Sequence, residues 1–138
     1  MARSTSSAAR GAELIVLSGY LRKLGPATLA RFRGRILNIH PGLLPAHGGR
    51  GMYGRHVHEA VIAAGERESG ITIHLVDEEY DHGPAVAERR IPVDPGDTPQ
   101  SLALRIQAQE PAFFVETLRR IADGTLQLPP AGFLKRAT

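Results

Sequence analysis

Residues 35–45 of this chain, Arg35-Ile36-Leu37-Asn38-Ile39-His40-Pro41-Gly42-Leu43-Leu44-Pro45, set two polar groups into an apolar run and stop that run with a proline. The apolar part predicts a strand over 35–39. Successive side chains of an extended strand alternate faces, so Asn38 and His40 share one side while Leu37 and Ile39 fill the other. Proline has no amide donor and cannot continue a central strand, so Pro41 and Pro45 place His40 at the strand's carboxyl end. Open α/β sheets put their binding crevices there. Further along, His74 lies in a second apolar run, and Asp81 follows in an acidic loop ended by Gly83.

The remaining chain alternates strand and helix. Continuous apolar residues over 14–17 predict a strand buried on both faces. Gly25-Pro26 opens a short helix to about Arg31, with proline at a first-turn position where its missing donor costs little. Residues 56–64 set Val57, Ala60, Val61 and Ala64 on one helical face, and Gly65 supplies a stop. Residues 71–76 predict a third strand. Residues 86–93 predict a fourth, whose Glu88, Arg89 and Arg90 mark an exposed edge. Asp97-Thr98-Pro99 starts a long helix to Ile121, with a bend or break expected near Pro111, and 125–128 predict a last short strand. The class is α/β, yet the strand, Gly-rich turn and phosphate-holding helix that open a nucleotide-binding sheet are not seen. Residues 48–54, rich in glycine, do not follow a strand directly and read as a flexible active-site loop.

Composition narrows the functional classes. A chain of 138 residues with 42% apolar and 22% charged residues suits one soluble domain. Its expected limits are a disordered leader over 1–12, a domain over 13–128 and a loose tail over 129–138. The leader contains Arg and Ser and no acid, but it is short and has no amphipathic stripe, so disorder is favoured over a transit peptide and the expected location is the cytoplasm. With no cysteine, disulfides, thiolate metal sites and a cysteine nucleophile are excluded. No apolar run approaches a membrane span. The net charge of +3 comes from scattered basic residues that do not alternate with aromatics, which argues against nucleic acid as a partner.

The polar residues allow a specific chemistry. An amide donor, an imidazole and a carboxylate converging on one crevice can stabilise an oxyanion and move a proton during acyl transfer between amines, without a side-chain nucleophile. Asn38 would donate to the developing oxyanion. His40, near its normal pKa, would add a charge-assisted donor, and Asp81 would keep His40 charged and relay a proton through water. Simpler readings stand beside this one. A single Asn or His at a strand end often only satisfies neighbouring backbone groups, and Asp81-His82-Gly83-Pro84 is also a turn signal. His56 and His58, two apart on a helix, point in different directions and do not share a metal, while His47 sits in a loop with no visible partner. Gln107 and Glu110 are spaced as neighbours on one helix face, which is solvated by default. The residues alone do not name a substrate.

A resemblance does. Asn38-Ile39-His40-Pro41 with Leu43-Leu44-Pro45, His56-Val57-His58-Glu59-Ala60, and Gly70-Ile71-Thr72-Ile73-His74 continuing through Asp81-His82-Gly83-Pro84 resemble the folate-dependent formyltransferase superfamily. Ile91-Pro92-Val93, Gly96-Asp97-Thr98 and Gln107-Ala108-Gln109-Glu110 extend the likeness, which runs from about Glu13 to Gly124. The resemblance is strongest to the purine-biosynthesis branch acting on glycinamide ribonucleotide. It implies a Rossmann-like formyltransferase fold, present here as its carboxy-terminal portion, and formyl transfer from 10-formyltetrahydrofolate to the glycyl amine of that nucleotide, with no metal. By the same resemblance Asn38, His40 and Asp81 are catalytic and His74 supports them. Tyr20, Leu21, Arg22, Lys23, Leu24, Val76, Asp77, Glu78, Glu79 and Tyr80 bind the folate, and Gln107 and Glu110 the nucleotide.

Two departures from the family pattern bear on this. Gly42 stands where Ser or Ala is usual. The family's Gly-Ser-Gly-Ser-Asn phosphate loop and first strands have no counterpart in the sequence, which implies weaker nucleotide binding and a strand edge at 14–17 open to association or homodimer formation. Alternatives within the superfamily are a formyltetrahydrofolate deformylase or a methionyl-tRNA formyltransferase, against which His56, His58 and the Gly83-Pro84 pair weigh. The alternative from another class is a catalytically silent folate-binding or dimer-forming module.

Overall fold

Four apolar runs become four strands of one sheet. The computed structural model describes residues 14–18, 25–44, 46, 55–76 and 84–128. Strands β1 (Ile15–Ser18), β2 (Ile36–His40), β3 (Glu68–Leu75) and β4 (Ala85–Pro92) are hydrogen-bonded in that order. β1 and β2 are parallel, while β2 with β3 and β3 with β4 are antiparallel. Parallel neighbours need a crossover, and helix α1 (Pro26–Arg31) lies within it. Helix α2 (Arg55–Ala63) precedes β3, and helix α3 (Pro99–Ala122) follows β4. The strands expected at 14–17, 35–39 and 86–93 and the helices at 26–31 and 56–64 all appear within a residue of those limits, but the first strand is not buried on both faces, since Val16 is 42% exposed. The leader, the 48–54 loop and the tail lie outside the described residues.

Alternation along the strands builds two apolar clusters. Leu37 and Ile39 of β2 and Ile71, Ile73 and Leu75 of β3 share one face. Onto it pack Val61 of α2 and Leu102, Ile106 and Phe113 of α3. Each such side chain contributes about 1.5–3 kcal/mol through its removal from water. The opposite face carries a smaller cluster of Leu17, Leu29, Phe32 and Ile36, with Val76 packed against it. Asn38 and His40 alternate with Leu37 and Ile39 and so belong to this second face.

Three further expectations are corrected. β3 begins three residues before Ile71, because Glu68, Ser69 and Gly70 pair with Pro92, Ile91 and Arg90. Gly70 serves close approach: a Cβ there would collide with the Arg89 carbonyl and lie 2.5 Å from Leu43 Cδ2. Helix α3 is continuous through Pro111 rather than broken. An interior proline costs about 3 kcal/mol, yet Leu102 and Ile106 before it and Phe113 and Thr117 after it are all buried, so packing holds both halves in one helix. Its start is closed by a capping box: the Ser101 amide donates to Thr98 Oγ1 at 3.1 Å and the Thr98 amide to Ser101 Oγ at 2.9 Å. Residues 125–128 form no strand. The Thr125 amide donates to Asp123 Oδ1 at 2.9 Å and the Leu126 amide to the Arg120 carbonyl at 3.0 Å, so this backbone closes α3 instead.

Other local signals act as expected. Gly65 at φ +66° ends α2, its amide donating to the Ile62 carbonyl while that of Glu66 donates to the Val61 carbonyl, the two hydrogen bonds of a Schellman motif. β4 is an outer strand among the described residues, its charges paired as Arg89 with Glu116 and Arg90 with Glu68 and Glu88. Among the described residues no helix is long and apolar enough to cross a membrane.

Candidate active site

The antiparallel register of β2 and β3 sets Asn38 opposite His74 and His40 opposite Thr72. Partners in register share a face, so all four side chains gather on the side away from the main core, around the carboxyl end of β2. β2 ends at His40, as its following proline required. The β3–β4 pairing slips beside His74: Ile73 pairs with Ala87 but His74 with Ala85, leaving Val86 as an extra residue. Bulges of this kind re-aim a side chain beside a site, and nothing in the sequence pattern marked this one.

Hydrogen bonding orients the pair Asn38 and His74. His74 Nδ1 lies 3.0 Å from the Leu75 carbonyl, which can only accept, so Nδ1 carries the ring proton. Nε2 is then an acceptor and takes one N–H of the Asn38 amide at 3.2 Å. The amide has a second N–H to give, and its Oδ1 is buried with no hydrogen-bond partner.

A second imidazole enters from α2. His58 is 2% exposed, and its Nδ1 has no hydrogen-bond partner. Burial pushes its pKa below the ordinary 6.5, and nearby His40 adds to the shift because two close imidazoles resist double protonation. His56 and His58 do diverge, His56 turning to Glu59 at 3.5 Å on the exposed side. The sequence reading set His58 aside as a metal ligand and missed its place beside His40. The available signal was its position between Val57 and Val61, where a polar residue joins the buried stripe.

The remaining candidates are distributed as follows. Asp81 lies outside the described residues, as do Tyr20, Leu21, Arg22, Lys23, Leu24, Asp77, Glu78, Glu79, Tyr80 and His47. Val76 is half-buried, its amide donating to the Ile36 carbonyl at 2.8 Å. Gln107 and Glu110 sit on α3, which packs on the face opposite Asn38. Gln107 is exposed and Glu110 half-buried, and burial raises the Glu110 carboxyl above its usual range. Among the described residues, no group of three or more His, Asp or Glu side chains could hold a metal ion.

The sheet agrees with what comparison shows. A model described as formyl transferase matches residues 2–118, and the chain belongs to that family. Proteins similar to it include phosphoribosylglycinamide formyltransferases. The chloroplastic one of Arabidopsis thaliana is 45% identical over 113 residues, covering 82% of this chain and 39% of the relative. That of Escherichia coli K12 is 35% identical over 133 residues, covering 88% and 60%. The crystal structure of the one from Bacillus halodurans superposes with a TM-score of 0.75 at 37% identity, covering 85% of this chain and 58% of that one. The chain therefore spans about two to three fifths of these relatives. Its mixed sheet and helices are part of the Rossmann-like formyltransferase fold, as the resemblance implied.

Proposed function

We propose that this chain carries the catalytic machinery of a phosphoribosylglycinamide formyltransferase, moving the formyl group of 10-formyltetrahydrofolate to the glycyl amine of glycinamide ribonucleotide. The observation that supports it most is the Asn38 amide, tied by one N–H to His74 and left with an unpartnered Oδ1 beside a buried His40. A buried acceptor left unpaired costs about 1–3 kcal/mol, and a substrate N–H that donates to it, such as that of the attacking glycyl amine, accounts for its retention.

In this reading the glycyl nitrogen attacks the formyl carbon, and negative charge gathers on the formyl oxygen. The free N–H of Asn38 and a ring N–H of His40 donate to that oxygen, which is where a preorganised donor lowers the barrier. His74 does not touch the substrate but holds the Asn38 amide in register. Asp81 takes the proton released by the attacking nitrogen and passes it toward the leaving nitrogen of the folate. The carbon–nitrogen bond to the folate then breaks, giving formylglycinamide ribonucleotide and tetrahydrofolate. The co-substrate supplies the activated formyl group, and apolar Val76, backed by Leu17, Leu29, Phe32 and Ile36, offers a wall for its ring system. Gln107 and Glu110 are assigned to the nucleotide by family resemblance.

The direct test is formation of formylglycinamide ribonucleotide by the purified protein beside its His40→Ala and Asp81→Asn variants. Turnover by the parent and a loss of about 10²-fold or more in each variant is expected. Equal rates in all three would refute the reading.

A further inference from the structure

One buried polar side chain on this face has no part in the chemistry above. Thr72 is fully buried and stands opposite His40 in the β2–β3 register. Its hydroxyl donates to the Gly42 carbonyl at 2.7 Å and accepts the Leu44 amide at 3.4 Å. It thus holds the turn that leaves β2 immediately after His40. Gly42 in turn backs the imidazole: a Cβ on it would lie 3.2 Å from His40 Nε2, 3.4 Å from Cδ2 and 2.8 Å from Val57 Cγ1. The next residue, Leu43, is seated over Gly70, where a Cβ would meet its Cδ2 at 2.5 Å.

These contacts form a continuous path from β3 to the ring edge. The hydroxyl fixes the Gly42 carbonyl, Leu43 over Gly70 fixes the next residue, and Gly42 lies so near the His40 ring that a Cβ on it would touch the imidazole. We infer that Thr72 is a positioning residue for His40, acting through the 42–44 turn. It rests on the reading of His40 as catalytic but makes a separate structural claim. The hydroxyl is the part that matters, since a methyl group of equal size cannot hold a carbonyl. A misplacement of about 1 Å at a reacting group can cost 10²-fold in rate, so a clamp at this distance from the chemistry is sufficient to be felt.

The experiment compares Thr72→Val, which keeps the shape and loses the hydroxyl, with Thr72→Ser, which keeps the hydroxyl. Amide hydrogen exchange at Leu44 and the ring nitrogen resonances of His40 report on the turn, and steady-state formyl transfer reports on the chemistry. Expected for Thr72→Val are faster exchange at Leu44, shifted His40 resonances, and kcat lower by roughly ten- to hundredfold with KM for both substrates within about twofold. Thr72→Ser should restore all three. Unchanged exchange and resonances in Thr72→Val would overturn the inference, as would a loosened turn with unchanged kcat, or kcat and KM declining together without rescue by serine. If the parent protein transfers no formyl group, the proposed function fails, and the exchange and resonance measurements alone decide the role of Thr72.

Discussion

At the start of α3 and at the end of β2 the chain builds two polar clusters by different rules. In the first, Arg105 reaches both oxygens of Asp97 at 2.8 and 2.6 Å, Asp94 Oδ2 at 3.0 Å and the Pro92 carbonyl at 3.0 Å. Asp97 also accepts from the Asp94 amide and the Ser101 hydroxyl, both at 2.7 Å. Arg105 first, then Ser101, hold the Asp97 carboxyl well below the usual carboxylate range. Here the polar groups answer one another, and the cluster ties the end of β4 to α3. In the second, Asn38 Oδ1 and His58 Nδ1 are buried without partners. A satisfied network stabilises the fold, whereas an unsatisfied one weakens it and is retained where a ligand completes it.

The largest effect that would sharpen this contrast is on activity. His40→Ala should lower kcat by about 10²- to 10⁴-fold with little change in melting temperature, measured by formyl transfer and thermal unfolding. A variant that melts far earlier would instead make His40 a structural residue. Next, Asn38→Leu removes the unpaired oxygen together with the donor to His74 Nε2, two effects that oppose each other, and should cost about 10²- to 10³-fold in kcat with stability changed by no more than about 1 kcal/mol, as urea unfolding would show. A strongly destabilised Asn38→Leu would dissolve the contrast. At the satisfied cluster the expectation inverts: Thr98→Ala opens the capping box and should cost about 1 kcal/mol of stability with kcat unaltered.

The smallest effect is a pH dependence from His58. Its folded-state pKa lies below 6.5, so the unfolded chain binds that proton more readily. Its contribution to stability is therefore full above about 6.5 and lost as pH falls through the folded-state value. Urea midpoints should drop between pH 7.5 and 5.5, and His58→Gln should flatten part of that drop. An unchanged slope in His58→Gln would show that the imidazole is not buried neutral.

Much of this was legible because two periodicities are local. The alternation of Leu37 and Ile39 with Asn38 and His40, and the stop at Pro41, predicted a buried face, a polar face and the end of β2. What was misread involved competition between local and distant forces. Pro111 is a helix breaker on its own, but core contacts on both sides keep α3 whole. Residues 125–128 have strand-like composition, but the backbone at 125–126 bonds back to Asp123 and Arg120 at the end of α3.

The sequence by itself named the candidates for chemistry, Asn38, His40, Asp81 and His74, through residue type, alternation and family resemblance. The tertiary structure alone decided which of them meet. The antiparallel register of β2 and β3 brings His74 to Asn38 and Thr72 to His40, and α2 delivers His58 to the same place. Registers and helix packing are set by contacts between residues far apart in the chain, and those contacts leave no period in the sequence to read.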